Sequence, residues 1–274
     1  METIVTPSAE HFTIEARQLS GHPQNQSRLF PDDEVYVQFE SIDSVDSVSV
    51  VHSGQPAPNR GLAYLYGLLS LLNDENCSIE LVLPYAPYSR QDAAFYEGTV
   101  NHAKTLLQTI TQWYGVDRVY TVDPHFGHRD WMDDFPIEVL RAFPLIQEHV
   151  TMADYVVVGP DLGAVKRFGV PSFEKTRESA YDVELVGDLD VERKNVLVFD
   201  DLISTGGTMV EAYERLMAQG AATVQAAAVH GVLDKGVERV RDKYDALYLT
   251  NTIPNDAATV SIEPVLQNAL EEEP

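Results

Sequence analysis

The run Asn195-Val196-Leu197-Val198-Phe199-Asp200-Asp201-Leu202-Ile203-Ser204-Thr205-Gly206-Gly207-Thr208-Met209 holds the residue types and spacing best suited to chemistry. Asp200 and Asp201 are adjacent carboxylates, able to accept hydrogen bonds from the vicinal hydroxyls of a ribose. Ser204, Thr205 and Thr208 add hydroxyls, and Gly206 and Gly207 allow positive φ and close backbone approach. A turn of amides at a helix N-terminus binds phosphate, because those amides lack intrahelical partners and the helix dipole favours an anion. The spacing matches neither the Walker loop Gly-x-x-x-x-Gly-Lys nor the dinucleotide fingerprint Gly-x-Gly-x-x-Gly. It reads as a sugar-phosphate cradle.

The elements that position this run follow from periodicity. Residues 196–199 predict a buried parallel strand that stops at the two carboxylates. Thr208 then caps a helix with Met209, Ala212, Tyr213, Leu216 and Met217 on its apolar face, closed by Gly220 as a C′ residue. Further strands are expected at 35–39, 47–52, 79–84, 118–122, 155–158, 223–229 and 246–250. Helices are expected at 61–72, 100–113, 164–168, 209–219 and 236–243. Residues 1–27 carry only weak periodicity, 126–135 reads as a loop, and the polar stretch 169–191 reads as having little regular structure. Strands alternating with helices predict parallel sheets covered on both faces, with ligands beyond the C-terminal strand ends. Arg90, His125, Asp161 and Asp200 each follow a strand. The two βα series predict two similar α/β domains, 1–145 and 146–274.

Composition narrows the classes. The 274 residues hold 19 Lys plus Arg against 43 Asp plus Glu, a formal charge of −24, which argues against nucleic acid and anionic membranes as partners. It also repels a phosphorylated substrate unless basic residues are concentrated locally. High salt relieves much of that cost, since the Debye length falls to about 3 Å at 1 M, so the balance fits a high-salt source. A single cysteine, Cys77, excludes an intramolecular disulfide framework. No apolar stretch is long enough to span a bilayer, and Met1-Glu2-Thr3-Ile4-Val5 lacks the basic and apolar regions of a signal peptide. A cytoplasmic location is expected.

Five more clusters occur in order: Phe30-Pro31-Asp32-Asp33-Glu34, Tyr85 through Arg90-Gln91-Asp92, Asp123-Pro124-His125, Pro160-Asp161-Leu162-Gly163, and Lys175-Thr176-Arg177. With the Asp200 run, which looks like the phosphoribosyl diphosphate motif, they make the chain resemble the ribose-phosphate diphosphokinase (phosphoribosyl diphosphate synthetase) family over about residues 28 to 266. The resemblance implies two similar phosphoribosyltransferase-like domains, each a mainly parallel sheet flanked by helices, the first on the ATP side and the second on the ribose 5-phosphate side. It implies transfer of the diphosphoryl group of ATP to the 1-hydroxyl of ribose 5-phosphate, with Mg²⁺, giving phosphoribosyl diphosphate and AMP for nucleotide biosynthesis.

By the same resemblance Lys175 and Arg177 are catalytic, on a mobile loop that closes over the transferring group. Phe30, Asp32, Glu34, Arg90, Gln91, Asp92 and His125 bind ATP, with Phe30, Asp32 and Glu34 reaching a neighbouring subunit, so self-association is expected. Asp200, Asp201, Ser204, Thr205, Gly206, Gly207 and Thr208 bind ribose 5-phosphate. His125 and Asp161 are assigned to the metal, directly or through water; Mg²⁺ prefers oxygen ligands, so His125 is also a candidate for orienting a phosphate. The chain departs from the family at Asp33, usually Gly, and at Ala164, where many relatives have a second Gly. The alternatives are a phosphoribosyltransferase that consumes phosphoribosyl diphosphate with the same cradle, and a non-catalytic regulatory paralogue.

Overall fold

A computed structural model describes residues 2–40, 46–172, 174–177, 183–186 and 189–271, with 174–177 and 183–186 described by their backbone. The chain folds as two units, residues 1–141 with 263–274, and residues 142–262.

In the first unit β1 (Glu2–Val5), β2 (Arg17–Gln18), β3 (Ser47–Val51), β4 (Ser78–Leu83), β5 (Arg118–Val122) and β6 (Ile137–Leu140) form one parallel sheet in the order β2-β1-β3-β4-β5-β6. Helix α1 (Pro58–Asp74) buries Gly61, Tyr64, Leu65, Leu68, Leu69 and Leu72, a three-and-four spacing that puts one apolar stripe on the sheet. Helix α2 (His102–Gln108) is continued by a π-helical turn, Thr109–Trp113. The core gathers Ile4, Val48, Val50, Ile79, Leu81 and Val119 from the strands.

Two expectations change here. The weakly periodic N-terminus supplies β1, an inner strand whose four residues are too few to show a period. Residues 35–39 form no strand: Val35 makes one bridge to Leu29, and Ser20 N donates to the Gln38 carbonyl. The alternation of Val35, Val37 and Phe39 instead seats these side chains in or against the core.

In the second unit β7 (Tyr155–Val158), β10 (Asn195–Ile203), β11 (Thr223–Gly231) and β12 (Leu247–Leu249) form a parallel sheet in the order β12-β11-β10-β7. The strands β8 (Glu174–Arg177) and β9 (Val183–Val186) pair antiparallel, so 169–191, read from its polarity as having little regular structure, contains a ladder. Helices α3 (Phe143–His149), α4 (Leu162–Phe168), α5 (Gly207–Ala218) and α6 (Asp234–Arg241) accompany the sheet. Strand β10 does not stop at Phe199 but runs through the carboxylates to Ile203, pairing Asp200 with Ala228 and Leu202 with His230 of β11. Backbone pairing continues where apolar sequence ends, because β11 runs alongside β10 to Ile203 after β7 has ended opposite Val198.

A last helix, α7 (Glu263–Glu271), groups with residues 1–141. Thr13 N and Oγ1 donate to Glu263 Oε1 at 2.6 and 2.8 Å. Among the described residues no helix is long and apolar enough to cross a membrane.

Candidate active site

Val196, Leu197, Val198 and Phe199 are fully buried and carry β10 through the sheet to Asp200 and Asp201. There the chain meets Arg167, on the last turn of α4. Its Nη2 lies 2.8 Å from Asp200 Oδ1 and 2.8 Å from Asp201 Oδ1, with the side chain 7% exposed. Burial pulls the guanidinium pKa down, but the charges of Asp201 and Asp200 outweigh it and the net shift is upward. Burial and the charge of Asp201 push the Asp200 carboxyl well above the usual carboxylate range, against the pull of Arg167. Two carboxylates share one guanidinium, so Asp200 takes up a proton more readily than a free side chain.

Asp161 N-caps α4, its Oδ1 accepting from Gly163 N at 2.8 Å and from Ala164 N at 3.4 Å. A Cβ on Gly163 would lie 2.8 Å from Arg167 Nη1 and 2.9 Å from Asp161 Oδ1. The glycine of Pro160-Asp161-x-Gly163 therefore makes room for Arg167 to fold back along its own helix. Ala164 is buried, its methyl where a Cβ on Gly159 would otherwise go.

Beyond β10 the loop turns at Gly206, φ 75°, which occupies the cap position of α5. Thr208, expected as the cap, is instead the second helical residue; only glycine enters this turn unstrained. Val210 N donates to the Gly206 carbonyl, and the amides before it have no acceptor within the helix. Two close approaches set the loop: a Cβ on Gly206 would lie 2.7 Å from the Gly236 carbonyl oxygen, and one on Gly236 would overlap the Ser204 carbonyl. The space a Gly207 side chain would fill is open except for Thr205 Oγ1 at 3.8 Å and Arg239 Nη1 at 4.0 Å, which suits close approach of a bound group. Tyr244 fixes the first turn of α5, its hydroxyl donating to the Met209 carbonyl at 2.6 Å. Gly220, φ 82°, ends the helix as expected, with Ala221 N donating to the Leu216 carbonyl and Gly220 N to that of Met217.

In the first unit Arg90 and Gln91 are exposed beyond β4 and His125 lies beyond β5. His125 N donates to Ser89 Oγ at 3.0 Å, tying these strand ends together. Gln91 Oε1 is 2.7 Å from His102 Nδ1. Asp92, expected to bind ATP, is paired within the first unit. Its carboxylate is 1% exposed and takes both Arg129 Nε, at 2.7 Å, and Arg129 Nη2, at 3.0 Å. Trp131 Nε1 and Asn101 Nδ2 donate to its carbonyl. A charge this deep is held by pairing, so Asp92 braces the loop.

The Phe30 turn is a three-residue hairpin loop: Asp33 N donates to the Phe30 carbonyl and Phe30 N to that of Glu34. Asp33 adopts φ 70°, the left-handed position that favours glycine in such loops, so the departure at Asp33 preserves the turn. Phe30 is 43% exposed, edge-on to Tyr36 at 5.8 Å. Asp32 Oδ1 accepts from Glu34 N at 3.4 Å. The first turn of α1 links the two clusters: Arg60 pairs with Asp33 at 2.9 Å and Asn59 accepts from the Tyr88 hydroxyl.

Lys175 and Arg177 fall on β8, and their side chains lie outside the described residues. His125 belongs to the first unit and Asp161 to the second. Among the described residues no three His, Cys, Asp or Glu side chains group as a metal site. Sequence reasoning missed Arg167, Arg129 and Gly236. Arg167 had a weak signal, a basic residue ending the helix that Asp161 begins, but basic residues at helix C-termini are ordinary.

Residues 161–265 match the phosphoribosyl transferase domain family. The chain is 31% identical to the ribose-phosphate pyrophosphokinase of Pyrococcus furiosus, over 97% of its own length and 99% of that protein. It is 33% identical to the ribose-phosphate pyrophosphokinase of Thermococcus kodakarensis, over 94% of this chain and 96% of the other. A crystal structure of phosphoribosylpyrophosphate synthetase from Mycobacterium smegmatis aligns with a TM-score of 0.79 at 27% identity, covering 98% of each chain. With parallel sheets in both units, a turn opened by Gly206 after an acidic strand end, and likeness along nearly its whole length, the chain belongs to the ribose-phosphate pyrophosphokinase family.

Proposed function

We propose that the protein transfers the β,γ-diphosphoryl group of ATP to the 1-hydroxyl of ribose 5-phosphate. The 1-oxygen attacks the β-phosphorus, the bond from that phosphorus to the α,β-bridging oxygen breaks, AMP leaves, and the hydroxyl proton is lost. The observation that carries the reading is the loop 204–208, opened by Gly206 at positive φ at the head of α5 and preceded on one strand by Asp200 and Asp201. Loop amides take the 5-phosphate, and the carboxylates accept from the 2- and 3-hydroxyls. The nucleotide half comes from the first unit: Arg90 and Gln91 toward the phosphates, His125 beside them, and the Phe30 turn toward the adenine, offered to a second copy of the chain. Asp92 acts one step back, through Arg129.

Phosphoryl-type transfer rests on positioning and on neutralising charge at the phosphate oxygens. Lys175 and Arg177 take that second task in this reading. Mg²⁺ brought with ATP would be held by His125 and Asp161, directly or through water, and would neutralise charge on the phosphates. Of the two, Asp161 spends Oδ1 on its helix cap. The test incubates the folded protein with Mg²⁺, ATP and ribose 5-phosphate at low and molar salt and follows AMP. No AMP in any condition overturns the reading; diphosphate released only with a nucleobase points to a phosphoribosyltransferase.

A further inference from the structure

A sugar phosphate brings its anionic group to a chain of formal charge −24, so the loop 204–208 calls for a local cation. The loop contains no Lys or Arg, and Arg167 is engaged by Asp200 and Asp201. Helix α6 supplies another. Gly236, Arg239 and Val240, spaced i, i+3, i+4, share one face, and that face lies against the loop. Gly236 abuts the Ser204 carbonyl, Val240 Cγ2 lies 3.1 Å from the Cβ position of Gly206, and Arg239 Nη1 lies 4.0 Å from that of Gly207. Arg239 is exposed and, among the described residues, makes no hydrogen bond or ion pair. It lowers the pKa of Glu214 through space, but Lys243 holds that carboxylate at 2.8 Å.

We propose that Arg239 is the cation of the phosphate loop, pairing with the 5-phosphate across the open space above Gly207. The assignment rests on the reading of 204–208 as the ribose 5-phosphate loop. It gives Gly207 a reason: its φ is not positive, yet a side chain there would fill the gap between the guanidinium and the α5 amides. A planar guanidinium suits a phosphate edge, where two parallel N–H bonds form.

The test compares wild type, Arg239→Gln and Arg239→Lys by calorimetry with ribose 5-phosphate, inorganic phosphate and unphosphorylated ribose, and by steady-state KM, with Arg241→Ala as a control on the same helix. Arg239→Gln should weaken ribose 5-phosphate about tenfold, the size of one charge-assisted bond. Inorganic phosphate should weaken in parallel, KM for ATP should stay unchanged, and Arg239→Lys should fall between. Unchanged ribose 5-phosphate affinity in Arg239→Gln, or an equal loss for unphosphorylated ribose, overturns the assignment. If wild type binds ribose 5-phosphate but forms no AMP, the proposed activity fails and calorimetry still decides Arg239. If wild type binds none, both fall.

Discussion

Arg167 holds two carboxylates with one buried guanidinium, and removing it takes away the counter-charge that Asp200 and Asp201 share. Breaking a buried pair from one side costs about 3–5 kcal/mol. Arg167→Met should therefore lose that much in urea unfolding, and Asp201→Asn in the same background should recover part of it. A loss under about 1 kcal/mol, the size of an exposed pair, would show that the charge is not needed. His52 gives a residue-scale pH dependence. It is wholly buried beyond β3, its Nδ1 2.8 Å from Thr6 Oγ1, and burial lowers its pKa to about 3. An unfolded imidazole titrates near 6.5, so between these values the unfolded state binds the extra proton. Stability is full above about pH 6.5 and falls as pH drops toward 3. From about pH 7 to pH 5 the wild type should lose about 2 kcal/mol more than His52→Asn. Equal losses would remove His52 as the cause.

At the scale of elements, the junction of β10, the 204–206 turn and α6 matters most. Gly236→Ala pushes a methyl into the Ser204 carbonyl, a backbone clash that only a shift of the turn relieves. It should cost about 1–3 kcal/mol and raise the KM for ribose 5-phosphate. Gly207→Ala makes the opposite split: with nothing within 3.8 Å of the new methyl, stability should stay within about 0.5 kcal/mol while ribose 5-phosphate affinity falls. Unfolding curves and KM measured on both variants check the pair; a stable Gly236→Ala with wild-type KM would show that the turn moves freely. The Asp92–Arg129 pair plays a similar bracing part in the first unit, joining the loop after β4 to the loop after β5.

For the whole molecule the governing quantity is the formal charge of −24. Self-repulsion destabilises a compact chain, and raising salt from 0.1 to 1 M shortens the Debye length from about 10 to about 3 Å. The midpoint of thermal unfolding should rise across that range. A flat or falling midpoint would mean that the acidic residues are spaced widely enough for repulsion not to matter.

Short-range pattern was enough for much of this protein. The apolar runs and helical stripes foretold parallel α/β sheets, and Asp200 to Thr208 were legible as one cluster because chain adjacency delivers them together. The order of six motifs foretold the family. What the local pattern did not hold is what each charged side chain faces. Arg167 reaches Asp200 from 33 positions away and Arg129 reaches Asp92 from 37, separations that no period of two or 3.6 encodes. Strand β1 is an inner strand because β2 and β3 pair with it, not because four residues announce it. Tertiary packing alone paired Asp92 with Arg129 and placed Gly236 under the loop, because burial and close approach are properties of neighbours in space.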